Sequence, residues 1–290
     1  MAPPAGRDPS GRRWGSVARR GAGVVVNPGS GQEARPERGH GAPGPRPGEG
    51  QWQPETWVEV SGPGPTKAAG RPSADRRSRR PSGLGSDVLS ELRHALGPRE
   101  ATRLAAPLAR AVRAYEQDRY QDALQSLRPV AAAAPEAPAV RELLGLTLYR
   151  LGRWRAAIKE LEAFAALTKS FDQHPVLADC HRALGHWKAV EELWDELRRA
   201  SPGAELVAEG RIVAAGALAD RGDVAGAIRL LEQGPSNRRR VRPHDLRVSY
   251  ALAGLYERGG DLPRARALLR AVAARDPSFV DVAERLAALS

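Results

Sequence analysis

Gly152-Arg153-Trp154-Arg155-Ala156-Ala157 is one of five stretches built alike along this chain of 290 residues. Asp118-Arg119-Tyr120-x-x-Ala123 precedes it. Gly185-His186-Trp187-x-x-Val190, Gly222-Asp223-Val224-x-x-Ala227 and Gly260-Asp261-Leu262-x-x-Ala265 follow. Their first residues stand 34, 33, 37 and 38 positions apart. Self-similarity at that period marks an array of helix–turn–helix repeats. Each such unit buries its apolar face only by stacking on its neighbours, and the stacked array usually offers a surface for another macromolecule.

Around each turn the apolar residues recur at helical spacing. Unit one, about 104–137, has Leu108, Ala111, Val112 and Tyr115 before its turn and Tyr120, Ala123, Leu124 and Leu127 after it. Pro107 is expected to start or kink the first helix. Unit two, about 138–171, runs Leu143-Leu144-Gly145-x-x-Leu148-Tyr149, then Trp154, Ala157, Ile158, Leu161 and Phe164. Unit three, about 171–204, pairs Leu177, Ala178 and His181 with Trp187, Val190, Trp194 and Leu197. Unit four, about 205–234, has Ile212, Ala215 and Leu218, then Val224, Ala227, Ile228 and Leu231. Gly234-Pro235 stands where its second helix should continue. Unit five, about 246–279, has Tyr250, Ala253 and Tyr256, then Leu262, Ala265, Leu269 and Val272. Short amphipathic segments at each end read as caps. The first holds Val88, Leu89, Leu92 and Leu96 behind Ser86 or Asp87 as N-cap; the second holds Val282, Leu286 and Leu289.

Composition divides the chain. Residues 1–86 hold 17 of the 30 Gly and 13 of the 24 Pro, but only 7 of Leu, Ile, Val and Phe. A segment so poor in apolar surface does not offset its ordering entropy, so 1–86 is expected to be a disordered basic tail and 87–290 the solenoid. The tail carries 14 Lys and Arg against 7 Asp and Glu, most of the net charge of +11. That balance admits phosphate-rich partners. Arg supplies 41 of the 45 cations, which also fits a GC-rich genome. One cysteine, Cys180, excludes an intramolecular disulfide and suits a reducing compartment. No apolar run is long enough to span a membrane, and the expected location is the cytoplasm.

The residues of the array resemble the tetratricopeptide repeat. Gly145, Tyr149, Gly152, Trp154, Ala157 and Leu161 fit that pattern in unit two. Ala178, Gly185, Trp187 and Pro202 fit it in unit three, and Ala253, Tyr256, Gly260, Ala265 and Pro277 in unit five. Small residues let two helices approach, and aromatic rings fill the space between them. Departures are Asp118 at the first turn, the missing closing proline of unit two and the short end of unit four. The blocks Arg141–Trp154, His174–Cys180 and Val207–Asp223 are similar to those of actinobacterial tetratricopeptide proteins with a Gly/Pro/Arg-rich leader. The resemblance implies an all-α solenoid of about five repeats that binds another protein and does no chemistry. It also implies a groove lined by first-helix residues. These are Leu108, Val112, Tyr115, Glu142, Leu146, Tyr149, Arg150, Asp179, Arg182, Tyr250, Glu257 and Arg258. A peptide or helix with apolar anchors and some charge would suit that lining. A clamp for the C-terminal carboxylate of chaperones is not expected, because Lys and Asn are missing at the matching places.

Motifs for catalysis are few. No P-loop, Gly-x-Ser-x-Gly or dinucleotide fingerprint occurs. Val24-Val25-Val26-Asn27-Pro28-Gly29-Ser30-Gly31 resembles the nucleotide loop of diacylglycerol-type lipid kinases, but the Gly-Gly-Asp-Gly-Thr segment of that family is missing. His174, Asp179, Cys180, His181 and His186 crowd together without the paired short intervals of a zinc site, and are expected to pack rather than ligate. No cofactor or metal is expected. Two basic runs, Arg71, Arg76, Arg77, Arg79 and Arg80, and Arg238, Arg239, Arg240 and Arg242, are candidate phosphate contacts. They support the alternative of a nucleic-acid- or ribosome-associated protein, with Trp14, Trp52 and Trp57 available to stack on bases.

Overall fold

The computed structural model describes residues 84–234 and 241–289. Among them twelve α-helices follow one another, with no strand. The first, α1 (Ser86–Leu96), precedes unit one, α2 (Pro98–Glu116) and α3 (Tyr120–Ala133). Unit two is α4 (Pro138–Arg150) and α5 (Trp154–Thr168); unit three is α6 (His174–Ala183) and α7 (Trp187–Ala200). Unit four is α8 (Ala204–Asp220) and α9 (Val224–Glu232); unit five is α10 (Pro243–Arg258) and α11 (Leu262–Ala273). The last helix is α12 (Val282–Ala288).

The repeated turn has one conformation. Gly152, Gly185, Gly222 and Gly260 all have positive φ, between 67° and 91°. Asp118 takes the same place in unit one with φ 57°. Asp is one of the few side-chain-bearing residues that visit this region readily, because its short polar side chain bonds locally. After each turn residue the next N–H reaches back five residues: Arg119 to Ala114, Arg153 to Leu148, His186 to His181, Asp223 to Leu218 and Asp261 to Tyr256, each at 2.9 Å. These bonds satisfy carbonyls that the end of the first helix would leave bare.

Five residues beyond each turn residue stands the small residue read from the sequence. Ala123, Ala157, Ala227 and Ala265 are fully buried, and Val190 nearly so. Nine residues beyond it come Leu127, Leu161, Leu231 and Leu269, also buried. Gly145 lets α4 lie close on α5: a methyl there would stand 2.6 Å from Leu161 Cδ2. Gly210 does the same between α8 and α7, where a methyl would meet Leu197 Cδ2 at 2.3 Å. Because α8 packs on neighbours from units three, four and five, its apolar residues lie all round it rather than on one stripe.

Three local expectations change. The N-cap of α1 is Gly85, with no side-chain cap; Ser86 is already helical and bonds Asp87. Unit one begins earlier than 104, because Pro98 sits at the first position of α2, where its fixed φ suits a helix start. Pro107 therefore neither starts nor ends α2, which continues through it. At the other end, Val282 is buried against Tyr250 and Val272, with Leu286 and Leu289 packed beside them.

Candidate partner-binding face

The last turns of the first helices share a row set by the repeat. Three residues before each turn residue stand Tyr115, Tyr149, Arg182, Ala219 and Glu257; one residue later come Glu116, Arg150, Ala183, Asp220 and Arg258. Side chains from this row join across units. The Tyr149 hydroxyl donates to Asp179 Oδ2 at 2.7 Å, and Arg182 Nε donates to Asp179 Oδ1 at 2.8 Å. Arg182 Nη1 donates to Asp220 Oδ2 at 2.7 Å, and Arg258 Nη1 reaches the other oxygen of Asp220 at 3.4 Å. A polar ladder thus runs from unit two to unit five.

Electrostatics follow from this ladder. Burial opposes the charge of Arg182, but the Asp179 and Asp220 carboxylates outweigh it and push its pKa up. Burial first, and the Asp179 carboxylate second, hold the Tyr149 hydroxyl well above the ordinary phenol value, so it stays a donor. Nearer the N-terminus, Arg150 lies 4.6 Å from the centroid of the Tyr120 ring and 3.5 Å from Asp118. Glu142 accepts from Gln173 Nε2 at 2.8 Å. Towards the C-terminus, Arg285 pairs with Glu257 at 2.9 Å and lies over the Tyr250 ring. The Tyr250 hydroxyl bonds Asp281.

Most of the twelve residues expected to line the groove are shielded from solvent. Leu108 and Leu146 belong to the core, with Val112 half-buried beside them. Tyr115, Glu142, Tyr149, Asp179 and Tyr250 are buried; Arg150, Arg182 and Glu257 are half-buried, and Arg258 is the most open. Tyr149, Asp179, Arg182 and Arg258 come together in the ladder, whereas Leu108 does not reach it. Two atoms of the row are buried without a hydrogen-bond partner among the described residues: the Tyr115 hydroxyl in unit one and Glu257 Oε1 in unit five. Sequence reasoning passed over Asp220, although its place two residues before Gly222 matches Arg150 and Arg258. It also passed over Glu209, fully buried and bonded to Arg247.

The His and Cys cluster separates. His174 is buried against Phe171 and pairs with Glu196 at 3.4 Å. Cys180 is a buried free thiol. His181 and His186 stand with their Nδ1 atoms 3.2 Å apart. Among the described residues no three of His, Cys, Asp and Glu come close enough to hold a metal ion. Of the candidate phosphate contacts only Arg242 lies within the described residues. It stands at the N-cap of α10, its N–H donating to Asp245 at 2.8 Å. Arg71, Arg76, Arg77, Arg79, Arg80, Arg238, Arg239 and Arg240 lie outside them, as do Val24–Gly31. No helix of the described residues is long and apolar enough to cross a membrane.

Comparison with known proteins agrees with this fold. The tetratricopeptide repeat family matches over residues 108–175 and again over residues 218–289. A thermophilic TPR protein of Thermus thermophilus, known from its crystal structure, superposes with a TM-score of 0.51 at 22% identity, covering 64% of this chain and 98% of that one. At that identity the likeness speaks for the fold alone. No curated protein matches the chain. The repeated turns, the two family matches and the shared fold support a tetratricopeptide repeat protein, whose described residues form a tetratricopeptide-type helix–turn–helix solenoid.

Proposed function

We propose that the chain is a non-enzymatic scaffold that holds a peptide or helix of a partner protein against the last turns of its first helices. Tetratricopeptide repeats are generally protein-interaction scaffolds, and the proposal extends that to one face of this array. The observation that carries it is the pair of unsatisfied buried atoms on equivalent positions. The Tyr115 hydroxyl and Glu257 Oε1 stand at opposite ends of the row without partners among the described residues. Buried polar atoms are rarely left so, because each costs roughly 1–3 kcal/mol. A peptide backbone laid along the row would offer a carbonyl to the first and an N–H to the second once the side chains that cover these two buried atoms move aside. The ladder between them holds its charges in fixed positions, so little side-chain entropy remains to be lost on binding.

The test is a peptide library selected on the intact protein. Selected peptides should bind wild type and lose affinity in Tyr115→Phe and Arg150→Ala, with the melting temperatures of both variants close to wild type. Selected peptides that bind these variants as tightly as wild type place the site elsewhere and refute the proposal.

A further inference from the structure

Eight and five residues before each turn residue, the first helix of every unit carries a pair of side chains on one face. In unit two they are Leu144 and Thr147, in unit three Leu177 and Cys180, in unit four Ala214 and Ala217, and all six are buried. Unit one opens the array, and there the pair is Arg110 and Arg113. Measured from its turn, α2 also starts six residues earlier than α4, and the added length brings Arg99 and Arg103. The four arginines follow one another at spacings of 4, 7 and 3, which sets them on one face of α2, opposite Leu108 and Tyr115. Arg99, Arg103 and Arg110 are exposed, and Arg113 is half-buried.

A terminal unit needs a polar outer face to stay soluble, but mixed charge would serve that end. This face has one sign. From Arg93 to Arg113 the chain holds five arginines and a single acid, Glu100. Glu100 pairs with Arg103 at 2.7 Å, with both side chains at least half exposed, so water and salt screen the pair. Among the described residues no ion pair engages Arg99, Arg110 or Arg113. From Arg99 to Arg113 the row is about 21 Å long, the length of about six nucleotides of a stacked strand.

The chemistry of the row selects its partner. Guanidinium groups grip phosphate oxygens two at a time. A membrane surface would also ask for apolar side chains to insert, and the exposed large apolar residues among those described, Leu167, Val241 and Leu262, lie in neither α1 nor α2. The basic run from Arg71 to Arg80 ends six residues before α1, a reach of at most about 20 Å, so the chain tethers that run beside the same end of the array.

We propose that the outer face of α2 binds the phosphate backbone of a single nucleic-acid strand through Arg99, Arg103, Arg110 and Arg113, as the ordered half of a site whose other half is the run from Arg71 to Arg80. The two halves add, and neither suffices at physiological salt. The site stands independently of the partner-binding face, because it uses the opposite side of α2.

The test titrates the full chain with a single-stranded RNA of about ten nucleotides over a salt series starting near 50 mM. Arg99→Gln, Arg110→Gln and Arg113→Gln together should weaken binding at the lowest salt by at least about tenfold. They should also flatten the slope of log K against log salt by about 2, since each phosphate contact to a single strand contributes about 0.7. Arg229→Gln, Arg270→Gln and Arg275→Gln remove the same charge from exposed positions elsewhere and should change affinity less than about twofold. Equal losses in the two triple variants overturn the proposal, because net charge alone would then explain the binding. An unchanged slope in the first variant overturns it too. Crosslinking wild type to RNA that carries 4-thiouridine needs no variant and should mark residues 99–113; crosslinks confined to 71–80 overturn the proposal. Vesicles rich in phosphatidylserine should bind no better than neutral ones; tight binding of those vesicles that the first variant loses would assign the face to membranes and overturn it.

Discussion

Replacing Gly145 with alanine tests the repeat register at its tightest point. The added methyl would stand 2.6 Å from Leu161 Cδ2, 2.8 Å from Cγ and 3.3 Å from the backbone nitrogen of Leu161. Carbon atoms in contact sit roughly 3.5–4.0 Å apart, so α4 and α5 must part by about 1 Å or Leu161 must leave its rotamer. Leu161 is 1% exposed and has nowhere to swing. Overpacking of this kind costs about 1–3 kcal/mol, against about 1 kcal/mol gained from the helix propensity of alanine. The single variant should therefore lose up to about 2 kcal/mol, and the sign alone is a weak test. A double-mutant cycle is sharper. Leu161→Ala alone should lose about 2–5 kcal/mol by opening a cavity. With Gly145→Ala also present, the clash disappears and the new methyl fills part of the hole. The double variant should thus be more stable than the sum predicts by about 1–3 kcal/mol, measured by urea denaturation followed by circular dichroism. Additivity within about 0.5 kcal/mol, or a single Gly145→Ala that gains the full propensity term, would refute the close approach of α4 and α5.

The polar ladder predicts unequal costs along its length. Asp179→Ala strips the buried side of Arg182 and should destabilise by about 3 kcal/mol, whereas Asp220→Ala, a third exposed, should cost about 1 kcal/mol. Equal losses in denaturation would contradict the ladder. His174 predicts acid lability. Burial lowers its pKa in the folded state, only partly offset by Glu196, so the unfolded chain takes up the proton first. Its contribution is complete above the ordinary histidine value of about 6.5 and is lost as pH falls towards the folded pKa. Melting temperatures measured down to pH 5 should fall less steeply in His174→Gln; an unchanged slope would locate the lability elsewhere. Cys180 should resist thiol reagents until the chain unfolds, since burial and the neighbouring Asp179 keep it protonated. Rapid labelling of the native protein would show the α6 packing to be open.

The fold was legible because its signals are local and repeated. A turn needing positive φ asks for glycine, and the small residue five places on follows from helix contact. Asp118 looked like a fault in that pattern, yet it adopts the same positive φ. The helix starts were harder to place. Gly97-Pro98 reads equally as the end of α1 and the beginning of α2, and one dipeptide does both. For the candidate face, the register placed Tyr149, Asp179, Arg182 and Arg258 on one surface. It did not indicate that their charges pair across units, because that depends on how far each unit turns on the next. Asp220 shows the limit. Its partner Arg182 is 38 residues away, beyond any local pattern. The end of unit four was legible too, since Gly234-Pro235 announced the short helix α9.

The scaffold reading is tested most directly by a salt series on the intact protein, titrated in parallel with a library-selected peptide and with single-stranded RNA. Burial and hydrogen bonding should hold the peptide, so its affinity should change little with salt, fall in Tyr115→Phe, and persist when Arg71, Arg76, Arg77, Arg79 and Arg80 are replaced by glutamine. RNA affinity should be weak at physiological salt, drop steeply as salt rises through counterion release, and vanish with those five arginines. Tight RNA binding at physiological salt that survives the loss of the five arginines would contradict the account.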